Sequence, residues 1–144
     1  LLILYKWIDA MTYQDMSEHF DAEPGDIFYI KENAKDLTYT FTEIVKFWRD
    51  HAKENDQKKI VSEYQNLIDE LDLLRLQIVH GVPEKYLELV KIKQIGRVRA
   101  QILYKNGYKN KTSLKKAPLE KLAAIDKIGA ILAKSIKSQV EKVR

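Results

Sequence analysis

Lys91-Ile92-Lys93-Gln94-Ile95-Gly96-Arg97-Val98-Arg99-Ala100-Gln101-Ile102-Leu103-Tyr104 is the stretch that decides the fold. Apolar residues at Leu89, Ile92, Ile95, Ala100 and Leu103 fit two short helices that meet across a tight turn. Gly96 falls where such a turn needs a residue that tolerates positive φ or lets another backbone come close. The amides that follow it open a helix, and the start of a helix attracts anions through unpaired N–H groups and its dipole. Lys91, Lys93, Arg97 and Arg99 surround the spot with positive charge. A phosphate group is the guest this combination implies.

The pattern recurs. Advancing by 33 residues, from Gly96 to Gly129, lays Ile125-Asp126-Lys127-Ile128-Gly129 over Ile92-Lys93-Gln94-Ile95-Gly96. The same shift pairs Leu89 with Leu122, Ala100 with Ala133 and Leu103 with Ile136, and Pro83 and Pro118 each precede the first helix of a unit. The two turns resemble the helix-hairpin-helix motif in tandem, which grips nucleic-acid backbones through hairpin amides without reading bases. On that resemblance the DNA-binding residues are Lys93, Ile95, Gly96, Arg97 and Arg99, with Lys127, Gly129 and Lys134 secondary. The second unit is the weaker, because Ala130-Ile131-Leu132 follows Gly129 where the first has Arg97-Val98-Arg99. The plainer alternative is a helical repeat that only packs.

Working outward, 144 residues allow one domain or two small ones. There is no cysteine, which removes disulfides and thiolate metal sites, and His19, His51 and His80 are scattered without ligand spacing. No metal site is expected. The net charge of +4 conceals an asymmetry: residues 1–80 carry 9 Lys/Arg against 16 Asp/Glu (−7), and residues 81–144 carry 16 against 5 (+11). Two modules follow, a helical bundle over 1–80 and a basic tandem hairpin domain over 81–144 that faces a polyanion. The opening Leu1-Leu2-Ile3-Leu4-Tyr5-Lys6-Trp7-Ile8 is too short to span a bilayer and lacks the marks of a signal peptide. With no initiator methionine, the chain reads as a fragment.

Residues 1–10 form an amphipathic helix presenting Leu1, Leu4, Tyr5 and Ile8. Thr12-Tyr13-Gln14-Asp15 resembles a capping box opening a helix to about Phe20, and Pro24 or Asp26 starts the next. A helix-turn-helix reading fails there, since the second helix begins Ile27-Phe28-Tyr29-Ile30 in an acidic segment rather than with base-reading side chains. That helix runs from about Asp26 to Asp50, with Ile27, Ile30, Ala34, Leu37, Phe41, Ile44, Val45 and Trp48 as a core stripe. A polar loop over Lys53–Gln57 leads to a long helix striped by Tyr64, Leu67, Leu71, Leu74 and Ile78, which ends at Gly81. Gly107 ends another helix, Thr112 or Ser113 caps a short connecting one, and the last runs from Ala130 to about Val143. No strand is expected. The fold class is all-α.

Catalytic machinery is absent from the sequence. There is no Walker-type loop, GxSxG elbow or HExxH. Asp69, Glu70 and Asp72 fall opposite the leucine stripe and are read as a solvated face.

Trp7-Ile8-Asp9, Pro24-Gly25-Asp26-Ile27, Leu76-Gln77-Ile78-Val79-His80-Gly81-Val82 and Ile95-Gly96-Arg97-Val98-Arg99-Ala100, in that order, resemble the C-terminus of a helicase family. It comprises the archaeal superfamily-two DNA helicases related to the helicase half of DNA polymerase theta. More distantly, spliceosomal helicases pair a helical bundle with a hairpin domain in the same way. The resemblance implies that the first module is most of a "ratchet" domain and the second a domain touching the emerging single strand. It implies a parent that unwinds DNA 3′ to 5′ at stalled or branched forks, using ATP and Mg, with no cofactor in this fragment. The implied partners are single-stranded or branched DNA and the missing motor domains, for a monomer in the cytoplasm associated with the nucleoid. Arg97 and Arg99 match the family's Arg-rich stretch. Tyr29 and Asp36 stand where the family's ratchet helix carries an Arg and a Trp, and Gln77 where it carries a basic residue. Two rival readings remain: a module of a structure-specific nuclease or repair scaffold, and a protein-docking module.

Overall fold

The computed structural model describes residues 1–141, and among them the chain is helical throughout, with nine α-helices, one short 3₁₀ turn and no strand. It divides into two compact units, Leu1–Val79 and His80 onward.

The first unit holds α1 (Leu2–Ile8), α2 (Tyr13–Phe20), α3 (Pro24–Glu54) and all but the last residue of α4 (Lys58–His80). Thr12 caps α2, its hydroxyl accepting from the Asp15 amide (3.1 Å) and donating to the Asp15 carboxylate (2.6 Å). Asp21, at φ 49°, turns the chain out of that helix in the left-handed conformation. Pro24 then takes the first position of α3, where its missing N–H costs nothing. Trp7, Met16 and Ile27 form the core of this corner, with Ile3, Leu4, Ile8, Met11, Tyr13 and Phe20 packed around them.

Three apolar faces differ from the sequence reading. On α1 the buried residue is Trp7, while Leu1 and Tyr5 are exposed. On α4 the buried residues are Ile68 and Ile78, and Leu67 and Leu74 lie partly in solvent. On α3 the buried line is Ile27, Thr38, Thr42, Val45 and Ala52, whereas Leu37, Phe41, Ile44 and Trp48 of the expected stripe are exposed, as are Phe28, Tyr29, Tyr39 and Phe47. Two threonines can be buried because each hydroxyl is satisfied within the helix. Thr38 donates to the Ala34 carbonyl (2.7 Å) and Thr42 to the Thr38 carbonyl (2.9 Å). Across the α3–α4 pair, Arg49 donates to the Gln65 side-chain oxygen (2.9 Å) and the Arg75 guanidinium lies 5.2 Å over the Tyr39 ring. Asp69, Glu70 and Asp72 are exposed.

The second unit runs through a 3₁₀ turn (Glu84–Tyr86), α5 (Leu87–Val90), α6 (Arg97–Lys105), α7 (Lys111–Lys116), α8 (Leu119–Ala123) and α9 (Gly129–Glu141). Pro83 and Pro118 sit at the N-caps of the 3₁₀ turn and α8. The repeat is visible in the packing: Leu89 and Leu122, Ile95 and Ile128, Ala100 and Ala133, and Leu103 and Ile136 are all buried. Gly107, at φ 88°, ends α6. The cap of α7 is Asn110 rather than Thr112 or Ser113. Its carboxamide oxygen accepts from the Ser113 amide (2.8 Å), and the Ser113 hydroxyl accepts from the Asn110 amide (3.1 Å). Val143 lies outside the described residues.

His80, at the C-terminal end of α4, sits below its ordinary pKa of about 6.5 because partial burial disfavours its charged form and the Lys91 ammonium repels it. The sign follows directly. Above that ordinary value both folded and unfolded chains hold a neutral imidazole; below it the unfolded chain binds a proton that the folded chain resists. Stability is therefore expected to fall as pH drops from 7 towards 5. Melting curves of the parent and of His80→Asn across that range check this, the variant showing the shallower decline.

Candidate nucleic-acid interface

Each hairpin is built by a short helix, a tight turn and a longer helix whose first residues face solvent. In the first, α5 ends at Val90, and Ile92 and Ile95 are buried to pin the turn from inside. The Ile95 amide donates to the Ile92 carbonyl (3.0 Å), so this residue serves by packing and its amide is committed. Gly96 is the N-cap of α6 at φ −86° and ψ −178°, which is extended backbone, not the left-handed conformation the sequence reading allowed for. The residue in that conformation is Gln94, at φ 70°. A Cβ at Gly96 would meet nothing within 4 Å, so glycine is not required by the fold there. Its bareness leaves the first amides of α6 without a side-chain cap.

The second hairpin shares the plan but not the geometry. Lys127, one repeat after Gln94, is left-handed at φ 59°, but Gly129 is left-handed too, at φ 64°. Positive φ thus falls on the glycine of this turn, whereas the sequence reading had placed that need at Gly96. Because Gly129 and Gly96 differ in backbone, the two sets of helix-opening amides are not equivalent, and the asymmetry read from Ala130-Ile131-Leu132 extends to the main chain.

Gly96, Arg97, Val98, Arg99 and Lys127 line an open cleft of about 550 Å³. Both hairpins therefore contribute to one depression, and its charged side chains are all cationic. Lys93 and Lys134 are exposed but outside that lining. Arg97 and Arg99 are half-buried. Arg99 is fixed by its own hydrogen bonds, Nε donating to the Lys127 carbonyl and Nη1 to the Gln94 carbonyl, each at 2.9 Å. Gln139, which the sequence reading passed over, accepts from the Lys93 amide (2.8 Å) across 46 residues, a separation at which no local pattern operates. Not every cation of the basic half faces outward. Lys137 directs its ammonium to the carbonyls of Lys115 (2.6 Å) and Ala117 (2.9 Å), closing the end of α7. Among the described residues no group of three or more His, Asp or Glu is placed to hold a metal ion, and no helix is long and apolar enough to cross a membrane.

The two units match two family models in order. Residues 1–62 match the archaeal helicase domain 4, and residues 86–142 match the SAM-like helix-hairpin-helix tandem. The two units resemble, in order, the end of an archaeal helicase. The chain is 33% identical over 135 residues (94% of its length) to the ATP-dependent DNA helicase Hel308 of Pyrococcus abyssi. It is 34% identical over 136 residues to the Hel308 of Pyrococcus horikoshii and 31% over 134 residues to that of Thermococcus kodakarensis. It spans 17%, 17% and 11% of the lengths of these relatives, respectively.

Proposed function

We propose that this chain is the C-terminal DNA-gripping region of an ATP-dependent helicase that unwinds 3′ to 5′ at stalled or branched forks in repair or replication restart. One observation carries the reading: the uncapped start of α6 at Gly96 opens into a cleft whose charged side chains, Arg97, Arg99 and Lys127, are all cationic. A phosphodiester seated there would receive backbone N–H groups, the positive end of a helix and flanking guanidinium and ammonium groups. None of these reads a base, so binding is indifferent to sequence. Lys93, Lys127 and Lys134 add charge along the strand, while Ile95 and Gly129 hold the turns.

The partners of this reading are single-stranded or branched DNA and the motor domains of a longer polypeptide, acting as a monomer in the cytoplasm beside the nucleoid. The exposed apolar face of α3 supports a packing role towards such domains. ATP and Mg do not fit the residues present, since the sequence holds no phosphate loop and the described residues no carboxylate cluster; hydrolysis is assigned to the motor. The nuclease, repair-scaffold and docking readings are disfavoured by the pairing of a helicase domain with a cationic hairpin tandem.

Titrating the protein into a labelled single strand at two salt concentrations tests the proposal. Neutralising about three phosphates gives a log–log salt slope near −2, or a loss of about 15-fold to 20-fold in affinity between 50 and 200 mM salt. A flat response would leave only the docking role, and metal-dependent cutting of branched DNA would favour the nuclease.

A further inference from the structure

We infer that Arg99 is a positioning residue that clamps the two hairpin turns into a single DNA-binding edge. The inference rests on the reading that these hairpins hold phosphate. Arg99 stands in the first turn of α6, in the first hairpin, yet its Nε donates to the carbonyl of Lys127, in the second. Its Nη1 donates to the carbonyl of Gln94, in its own hairpin. These two acceptors occupy the same place in the repeat, 33 positions apart, and each is a non-glycine residue at positive φ (70° and 59°). Side chains disfavour that conformation, so both turns need tertiary support, and one guanidinium supplies a hydrogen bond to each. Its donors are set in a rigid planar fork that spans two acceptors at once; a lysine ammonium at the end of a flexible chain is a single point.

The link is returned from the other side. Gln139 of α9 accepts from the Lys93 amide (2.8 Å), and its amide group lies 3.4 Å from the Lys93 carbonyl. Each hairpin thus holds the other by its turn. At the equivalent place of the second repeat stands Leu132, which is buried and carries no guanidinium. Both acceptors of Arg99 are neutral carbonyls, so its positive charge is not cancelled by them. The brace also sets where Lys127 stands, at the rim of the cleft shared with Gly96 and Arg97. Loss of Arg99 should therefore uncouple Lys127 from a strand held at Gly96, beyond any contact Arg99 makes itself.

A double-mutant cycle between Arg99→Lys and Lys127→Ala, read as affinity for a labelled single strand and as its salt slope, tests this. In the parent, Lys127→Ala is expected to weaken binding about three-fold and to reduce the slope magnitude by about 0.7, the share of one phosphate on a single strand. In the Arg99→Lys background, where formal charge is kept, affinity is already lowered and Lys127→Ala changes neither quantity further. Equal effects of Lys127→Ala in both backgrounds would overturn the brace. Gln139→Ala, which removes the return link and leaves every cation in place, gives the same cycle independently should Arg99→Lys fail to fold. A parent that shows no salt-dependent binding would remove the underlying reading instead, so the two failures are distinguishable.

Discussion

Gly96→Asp should leave the protein at least as stable as the parent while lowering its affinity for single-stranded DNA by ten-fold or more. The two signs come from the same atoms. Gly96 is extended, at φ −86° and ψ −178°, the conformation of a helix N-cap, and an added Cβ would meet nothing within 4 Å. Aspartate is among the favoured caps because its carboxylate accepts from the open amides of the first turn. Against the glycine it replaces, that is worth only a few tenths of a kcal/mol, with about 0.3–1 kcal/mol more from the helix dipole. Those amides are also the ones offered to phosphate, and the carboxylate takes their place. It also sets a negative charge against the incoming one: two like charges about 4 Å apart near a protein surface repel by about 4 kcal/mol, well above the 1.4 kcal/mol of a ten-fold loss. Melting temperature and binding isotherms of the parent, Gly96→Asp and Gly96→Ser separate the terms, since serine caps without the charge and should cost less affinity. If Gly96→Asp binds DNA as the parent does, the phosphate does not sit at α6. The same change at Gly129 is no equivalent test, because φ there is 64° and any Cβ is strained.

Trp7→Ala is expected to be the most destabilising single change in the first unit. The ring is buried, lies 5.1 Å from that of Tyr13, and packs in the cluster with Met16 and Ile27. Removing a buried tryptophan side chain costs about 3–5 kcal/mol in lost contacts and residual cavity. A second loss is polar. Trp7 Nε1 donates to the Ile78 carbonyl (2.7 Å), in the last turn of α4, where carbonyls have no partner within the helix. Leaving that buried acceptor unpaired adds about 1–3 kcal/mol. Trp7→Phe keeps most of the apolar area and drops the hydrogen bond, so it should fall between the parent and Trp7→Ala. Denaturant unfolding followed by circular dichroism measures both. A Trp7→Ala loss below about 1 kcal/mol would mean that the corner is held by something other than this ring.

The sequence was most informative where a structural unit is short and repeated. A hairpin of two brief helices must bury the same few positions each time it occurs, so the 33-residue echo from Leu89 to Leu122 and from Leu103 to Ile136 marked core residues, and all four are buried. The long helix α3 was harder to read. Apolar side chains lie all around its 31 residues, and spacing by threes and fours can then be drawn along more than one face. Burial went instead to the face carrying Thr38 and Thr42, whose short side chains satisfy their own hydroxyls, and the aromatic faces stayed open.

At the site, the sequence by itself determined the cationic composition, the helical hairpins and the place of Gly96, because these follow from residue type and local spacing. Only the tertiary structure decided what Arg99 does. Residues 28 and 46 positions apart meet at hydrogen-bonding distance through Arg99–Lys127 and Gln139–Lys93, and nothing in local periodicity encodes that pairing. It decided the backbone of Gly96 as well. Positive φ fell on Gln94, two residues earlier, since the chain reverses there and is already extended where α6 begins.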